Sequence, residues 1–166
     1  MLAGFVDYLC HRATHVETAS GARETLLHWL MLTEAALPII AALFFKINAL
    51  LIAFMAVCLL AHELTGYADL ELAMRTRNVT PFEHQVHSLL EVLPFMALIL
   101  LCVLHWPQTE ALFGFGLENA DFSLGLKQPP GWDELILPFV AFVLLAVIPY
   151  SEELLRGWRA GPPSEQ

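Results

Sequence analysis

Positive charge is scarce in this chain. Lys and Arg number 8 against 17 Asp and Glu in 166 residues, giving a net charge of −9. No basic stripe exists to neutralise phosphates, which excludes nucleic acid as a partner. Cysteine is also sparse: Cys10, Cys58 and Cys102 stand alone with no CxxC pair, so no disulfide framework is expected. The hydrolase signatures are missing too. There is no GxSxG elbow, and His84-Gln85-Val86-His87 lacks the glutamate that HExxH places after its first histidine. Gly114-Phe115-Gly116 lacks the strand–turn–helix setting and the downstream Lys-Ser/Thr of a phosphate-cradling loop. The N-terminus has neither the basic flank nor the small-residue cleavage site of a secretory signal, and is expected to be retained. No internal repeat is evident.

What the chain has in abundance is apolar side chains, 57% of the total, with only 15% charged. That balance is foreign to an ordinary soluble domain. Four stretches, 25–46, 47–64, 84–106 and 135–151, approach the ~20 apolar residues that cross a bilayer. The expected fold is therefore all-α: an integral membrane four-helix bundle forming a single domain over 1–158, with a flexible tail over 159–166. The second span is expected to end near Gly66, leaving 67–77 as a short interfacial segment. Residues 2–18 read as an amphipathic helix lying on the membrane surface. Leu2, Phe5, Val6 and Leu9 share its apolar face, and Asp7, His11 and His15 line the other. The connection 107–134 is long and aromatic, and is expected to pack on the membrane surface at the opposite end.

With four spans, both termini fall on one side. That side carries Arg12, Arg23, Arg75, Arg77, Arg156 and Arg159, and the other carries Lys46 and Lys127. The positive-inside rule then places both termini in the cytoplasm, in the cytoplasmic (inner) membrane.

The chemistry concentrates at Thr80-Pro-Phe-Glu-His-Gln-Val-His-Ser-Leu-Leu-Glu91. Threonine caps, proline takes the first helical position and Glu83 stands three residues on, a strong helix start. On that helix Glu83, His84, His87 and Glu91 fall within roughly a 100° arc at about 100° per residue. Such groups entering hydrocarbon usually face a bundle interior, a cavity or a metal. The capping box accounts in part for Glu83, and headgroup exposure would account for His84; His87 and Glu91 sit too deep for either. Glu34 lies comparably deep in the first span. Pro38 frees the carbonyl of Glu34, and Pro94 frees that of Leu90 beside Glu91. His28 lies one turn beyond Glu24, and His62 stands beside Glu63, as the better ligand of the two. His11 and His15 have metal-ligand spacing that a solvated helix face explains equally well.

Glu34, His62, His87, Glu91, His84, Glu83 and His28 are thus the candidate metal ligands, near the predicted cytoplasmic face. Imidazole with carboxylate suits a divalent transition metal, and carboxylate-bridged pairs of ions occur inside helix bundles. Iron is favoured, as one ion or two, with zinc and haem as alternatives. Histidines at the cytoplasmic ends of four spans resemble the layout of the histidine-rich membrane hydroxylases and desaturases. The closely repeated HxxHH boxes of those enzymes are absent; His11-Arg-Ala-Thr-His15 and His84-Gln-Val-His87 come nearest. The expected function is a di-iron-type oxidoreductase acting on a lipid or other apolar substrate within the bilayer, in a chain that is free to form oligomers. A haem-binding electron-transfer subunit is one alternative, and a non-enzymatic proton- or metal-coupled transporter subunit or metal sensor is another. The outer half of the spans is nearly free of polar side chains apart from Asn48 and His105, which favours a site over a pathway.

Overall fold

The structure, a computed structural model, describes residues 1–161. Helices α1 (Leu2–Thr14) and α2 (Val16–Ala19) precede three long helices, α3 (Ala22–Phe44), α4 (Ala49–Thr76) and α5 (Pro81–Leu104). A short α6 (Trp106–Leu112) leads into the long connection. Then α7 (Trp132–Phe142), a π-helical segment (Val143–Val147) and α8 (Ile148–Ala160) run on as one rod. Helices α3, α4, α5 and the rod Trp132–Ala160 are each long and apolar enough to cross a membrane. Among the described residues there is no strand, only an isolated bridge between Phe45 and Leu126. The fold is an all-α four-helix bundle carrying an N-terminal amphipathic helix.

Local chemistry sets the helix ends. The Thr80 side chain accepts the Glu83 backbone N–H at 3.2 Å, with Pro81 opening α5. Asn48 accepts the Leu51 N–H at 3.1 Å to start α4. The π-helical segment has a cause in Pro149, which leaves the Leu145 carbonyl without its usual donor; the helix loosens there instead of breaking.

Helix α4 is the most enclosed of the spans, and α3 and α5 pack against it. Outward faces are apolar, including Leu26, Leu30 and Ile39 on α3 and Val92, Leu93 and Phe95 on α5, all exposed as lipid contact requires. At the end away from the termini, the Lys46 N–H donates to Gly125 O at 2.8 Å and the Lys127 N–H to Phe44 O at 2.9 Å. The Asn48 amide donates to Ser123 O at 2.8 Å. The long connection is thereby tied to the α3–α4 turn by its own backbone.

Two features differ from what the sequence suggests. The expected interfacial segment 67–77 is instead continuous helix, with α4 running unbroken to Thr76. Gly66 costs about 1 kcal/mol in a helix interior, too little to end one, and its missing side chain has a use. A Cβ there would sit 3.3 Å from Glu91 Oε1 and 3.5 Å from Met31 Cε, so the glycine lets α5 and α3 approach closely. The second difference is the orientation of α1, which packs against α5 and α8 with Asp7 and His11 turned inward and Leu2 and Leu9 outward. Of the tail expected over 159–166, Arg159 and Ala160 belong to α8 and 162–166 lie outside the described residues.

Candidate metal centre

Three helices bring an acid and, one turn later, an imidazole: Asp7 and His11 on α1, Glu24 and His28 on α3, Glu83 and His87 on α5. Spacing of i, i+4 puts both members of each pair on one helix face. Asp69 from α4 and Glu153 from α8 complete the cluster. All eight residues are buried, none more than 6% exposed.

Glu153 organises two of the imidazoles. Its Oε2 lies 3.4 Å from His11 Nδ1 and its Oε1 lies 3.6 Å from His28 Nδ1, while Thr25 Oγ1 donates to Oε1 at 2.9 Å. The two rings stack with centroids 4.7 Å apart and planes 15° from parallel. Both Nε2 atoms then point to carboxylates. His11 Nε2 is 3.4 Å from Glu83, 3.6 Å from Asp7 and 3.7 Å from Glu24; His28 Nε2 is 3.1 Å from Asp69.

Candidate ligand atoms converge in three groups, each with its atoms within 4.8 Å of one another: His11, Glu24 and Glu83; Glu24, His28 and Asp69; Asp7, His11 and His28. The first two share Glu24, and the third joins the two imidazoles through Asp7. A cavity of about 10 Å³ lies among His11, Glu24, Asp69, Arg77, Glu83 and His87, room for one water-sized occupant. Several buried polar atoms in the cluster have neither a hydrogen-bond partner nor a close ion pair to Arg77: both Asp7 oxygens, Asp69 Oδ1, Glu83 Oε2 and His87 Nε2. Leaving such groups unsatisfied costs about 1–3 kcal/mol each, a cost that a bound cation would remove.

Arg77 is the fixed cation of the cluster. Its Nη2 lies 2.6 Å from Glu24 Oε1 and 2.5 Å from Glu83 Oε1. Burial alone would pull the His11 imidazole down, but Asp7, Glu153 and Glu83 outweigh it and hold the pKa at about 9. Burial pushes the Asp7 carboxyl up against the pull of the neighbouring imidazoles. The carboxylate excess thus captures a proton on His11, and the same excess would attract a metal ion in that proton's place.

Of the residues singled out from sequence, the structure brings His28, Glu83 and His87 into this cluster. His84 is exposed and takes no part in the cluster. Glu34, His62 and Glu91 form a second, deeper layer, one to two helical turns further into the bundle. There Glu34 accepts from Thr65 Oγ1 at 3.0 Å, and both ring nitrogens of His62 are buried without a partner. Glu91 meets the cluster only through His87, whose Nε2 lies 3.7 Å from Glu91 and 3.7 Å from Asp69.

Asp7, His11, Glu24, Asp69, Glu153 and Arg77 are cluster members that the candidate ligand set omits. A signal for three of them is present in the sequence, as the acid–x–x–x–histidine spacing that recurs on α1, α3 and α5. Asp69 had none, since a helix ending at Gly66 would leave it in the interface. Comparison of the chain with protein-family models, curated proteins and solved structures found no match.

Proposed function

We propose that this protein is a membrane metalloprotein with a two-ion, carboxylate-bridged centre, and that it works as a di-iron-type oxidoreductase on an apolar substrate drawn from the bilayer. One observation carries the reading. A single carboxylate, Glu153, faces the Nδ1 atoms of both His11 and His28, while His11 Nε2 faces Glu83, Asp7 and Glu24, His28 Nε2 faces Asp69, and Glu24 is common to the ligand groups of both rings. Carboxylate–imidazole–metal pairs are how proteins orient ligating histidines, and two imidazoles with four carboxylates match the donor set of di-iron bundles.

In this reading Glu83 and His11 would hold one ion and Asp69 and His28 the other, with Glu24 and Asp7 available to both. His87 stands ready as a further ligand on the Asp69 side. Glu153 and Thr25 fix the rings, and α1 closes the cluster against water. When bound, a pair of iron ions supplies the Lewis acidity and redox capacity for oxygen-dependent chemistry on an unactivated substrate. Glu91, at the hydrocarbon-side edge of the cluster with its side chain 29% exposed, supports an approach from the lipid. The arginine bias of the termini end supports a cytoplasmic location for the centre.

Elemental analysis and an optical spectrum of the detergent-purified protein test the reading. Two transition-metal ions per chain with no haem band are expected. A folded protein that holds no metal, even after loading with Fe(II) or Zn(II), overturns it.

A further inference from the structure

Among the described residues, Arg77 is the only Lys or Arg inside the carboxylate cluster, and nothing in a simple metal-ligand set calls for it. It caps the end of α4 and begins the four-residue connection 77–80 to α5. Its side chain is only 7% exposed, lines the cavity, and engages Glu24 of α3 and Glu83 of α5 together. A guanidinium competing for two ligand carboxylates would weaken metal binding, so its presence needs a reason.

Charge supplies one. Asp7, Glu24, Asp69, Glu83 and Glu153 bring five negative charges into a buried volume, and ligating imidazoles are neutral. Two divalent ions cancel four of those charges, and the guanidinium cancels the fifth. Buried charge left uncompensated is strongly unfavourable in a low-dielectric interior. We propose that Arg77 is the charge-setting residue of the centre: it makes two divalent ions the electroneutral filling and opposes any rise in metal charge. This rests on the two-ion reading above, and deepens it by naming what selects the oxidation state the protein holds at rest.

A merely structural arginine, stapling α3 to α5, predicts the opposite sign. The test compares full-length wild type, Arg77→Gln and Arg77→Lys by three measurements: metal stoichiometry, the Zn(II) dissociation constant by competition with a chelator, and the midpoint potential of the iron-loaded protein. If Arg77 sets the charge, Arg77→Gln keeps two ions, binds Zn(II) about tenfold or more tightly as repulsion and competition are lifted, and shifts the potential to more negative values. Arg77→Lys keeps the wild-type potential. Weaker Zn(II) binding with an unshifted potential in Arg77→Gln overturns the proposal in favour of a staple.

If Arg77→Gln does not fold, Arg77→Met decides the matter, because it removes the charge while keeping an unbranched apolar stem in the same space. The proposal expects a more negative midpoint potential in Arg77→Met than in wild type, and an unshifted potential overturns it. Wild type without bound metal defeats the two-ion reading itself. Two ions in wild type with no shift in any variant defeat only the role of Arg77.

Discussion

Two polar layers share the interior of this bundle, and they differ in convergence. The upper layer draws side chains from α1, α3, α4, α5 and α8 into mutual reach around one cavity. The deeper layer, Glu34, His62, Thr65 and Glu91, lies one to two helical turns further along the apolar helices, with few partners. Glu34 is satisfied on one oxygen by Thr65, and His62 has no partner on either nitrogen. Burial at depth therefore marks a residue as expensive, but it does not gather ligand atoms. Gathering needs several helix ends meeting at one level, which among the described residues happens where α1 packs against the ends of α5 and α8.

The sharpest way to break this contrast is to remove the shared carboxylate. Glu24→Gln should abolish binding of at least one ion, whereas Glu34→Gln should leave the metal count unchanged; metal analysis of both variants reads the difference directly. Loss of metal in the Glu34 variant alone would move the centre one layer down. Next in size is Glu153→Gln, which touches only the Nδ1 side of the two rings. It should weaken metal affinity by about 10–100-fold, the usual cost of losing an orienting partner, with the stoichiometry at saturation retained.

A third effect appears in the metal-free protein. His11 titrates near 9 when folded against 6.5 as a free group. A raised histidine pKa stabilises fully below the unfolded value, and that stability is lost as pH climbs through the folded one. The docking of α1 should therefore weaken between pH 6.5 and about 9, by up to about 3 kcal/mol. The raised pKa of the Asp7 carboxyl adds a cost of the same sign as pH rises. Amide exchange of 2–14 followed against pH will show it, and added metal should flatten the profile by displacing the His11 proton. Protection that is independent of pH in the metal-free protein would contradict this account.

The smallest effect concerns the boundary between the layers. In Gly66→Ala the new methyl meets the flexible end of Glu91, and the helix gains about 1 kcal/mol of propensity. Thermal stability should change by less than about 1 kcal/mol, with metal content intact. A large loss would mean that Glu91 is held more tightly than its partial exposure implies.

Much of this was legible residue by residue. Thr80, Pro81 and Glu83 announce the start of α5, and the structure has the cap in place. The spans are written in their apolar runs. Glu83, His87 and His28 were recognisable as ionisable groups at a bundle end. Asp69 was not legible, because the Gly66 ahead of it reads as a helix end, and only packing against Glu91 and Met31 reveals why a glycine belongs inside a continuous helix. Asp7 and His11 were visible but read as facing water. An amphipathic helix states that it has two faces, without stating which one is turned inward when the bundle itself offers a polar end.

The sequence by itself determined the four spans, the asymmetry of basic residues and the pairing of acids with histidines one helical turn apart. These are properties of composition and of 3.6-residue periodicity, local along the chain. Only the tertiary structure decided which pairs meet. It placed α1 over α5 and α8 with its charged face down, carried α4 on to Thr76 so that Asp69 joined, and set Glu153 between two rings contributed by α1 and α3. The reason is physical: a ligand set is defined by distances of a few ångströms between helices remote in sequence, and no local periodicity encodes the packing that fixes those distances.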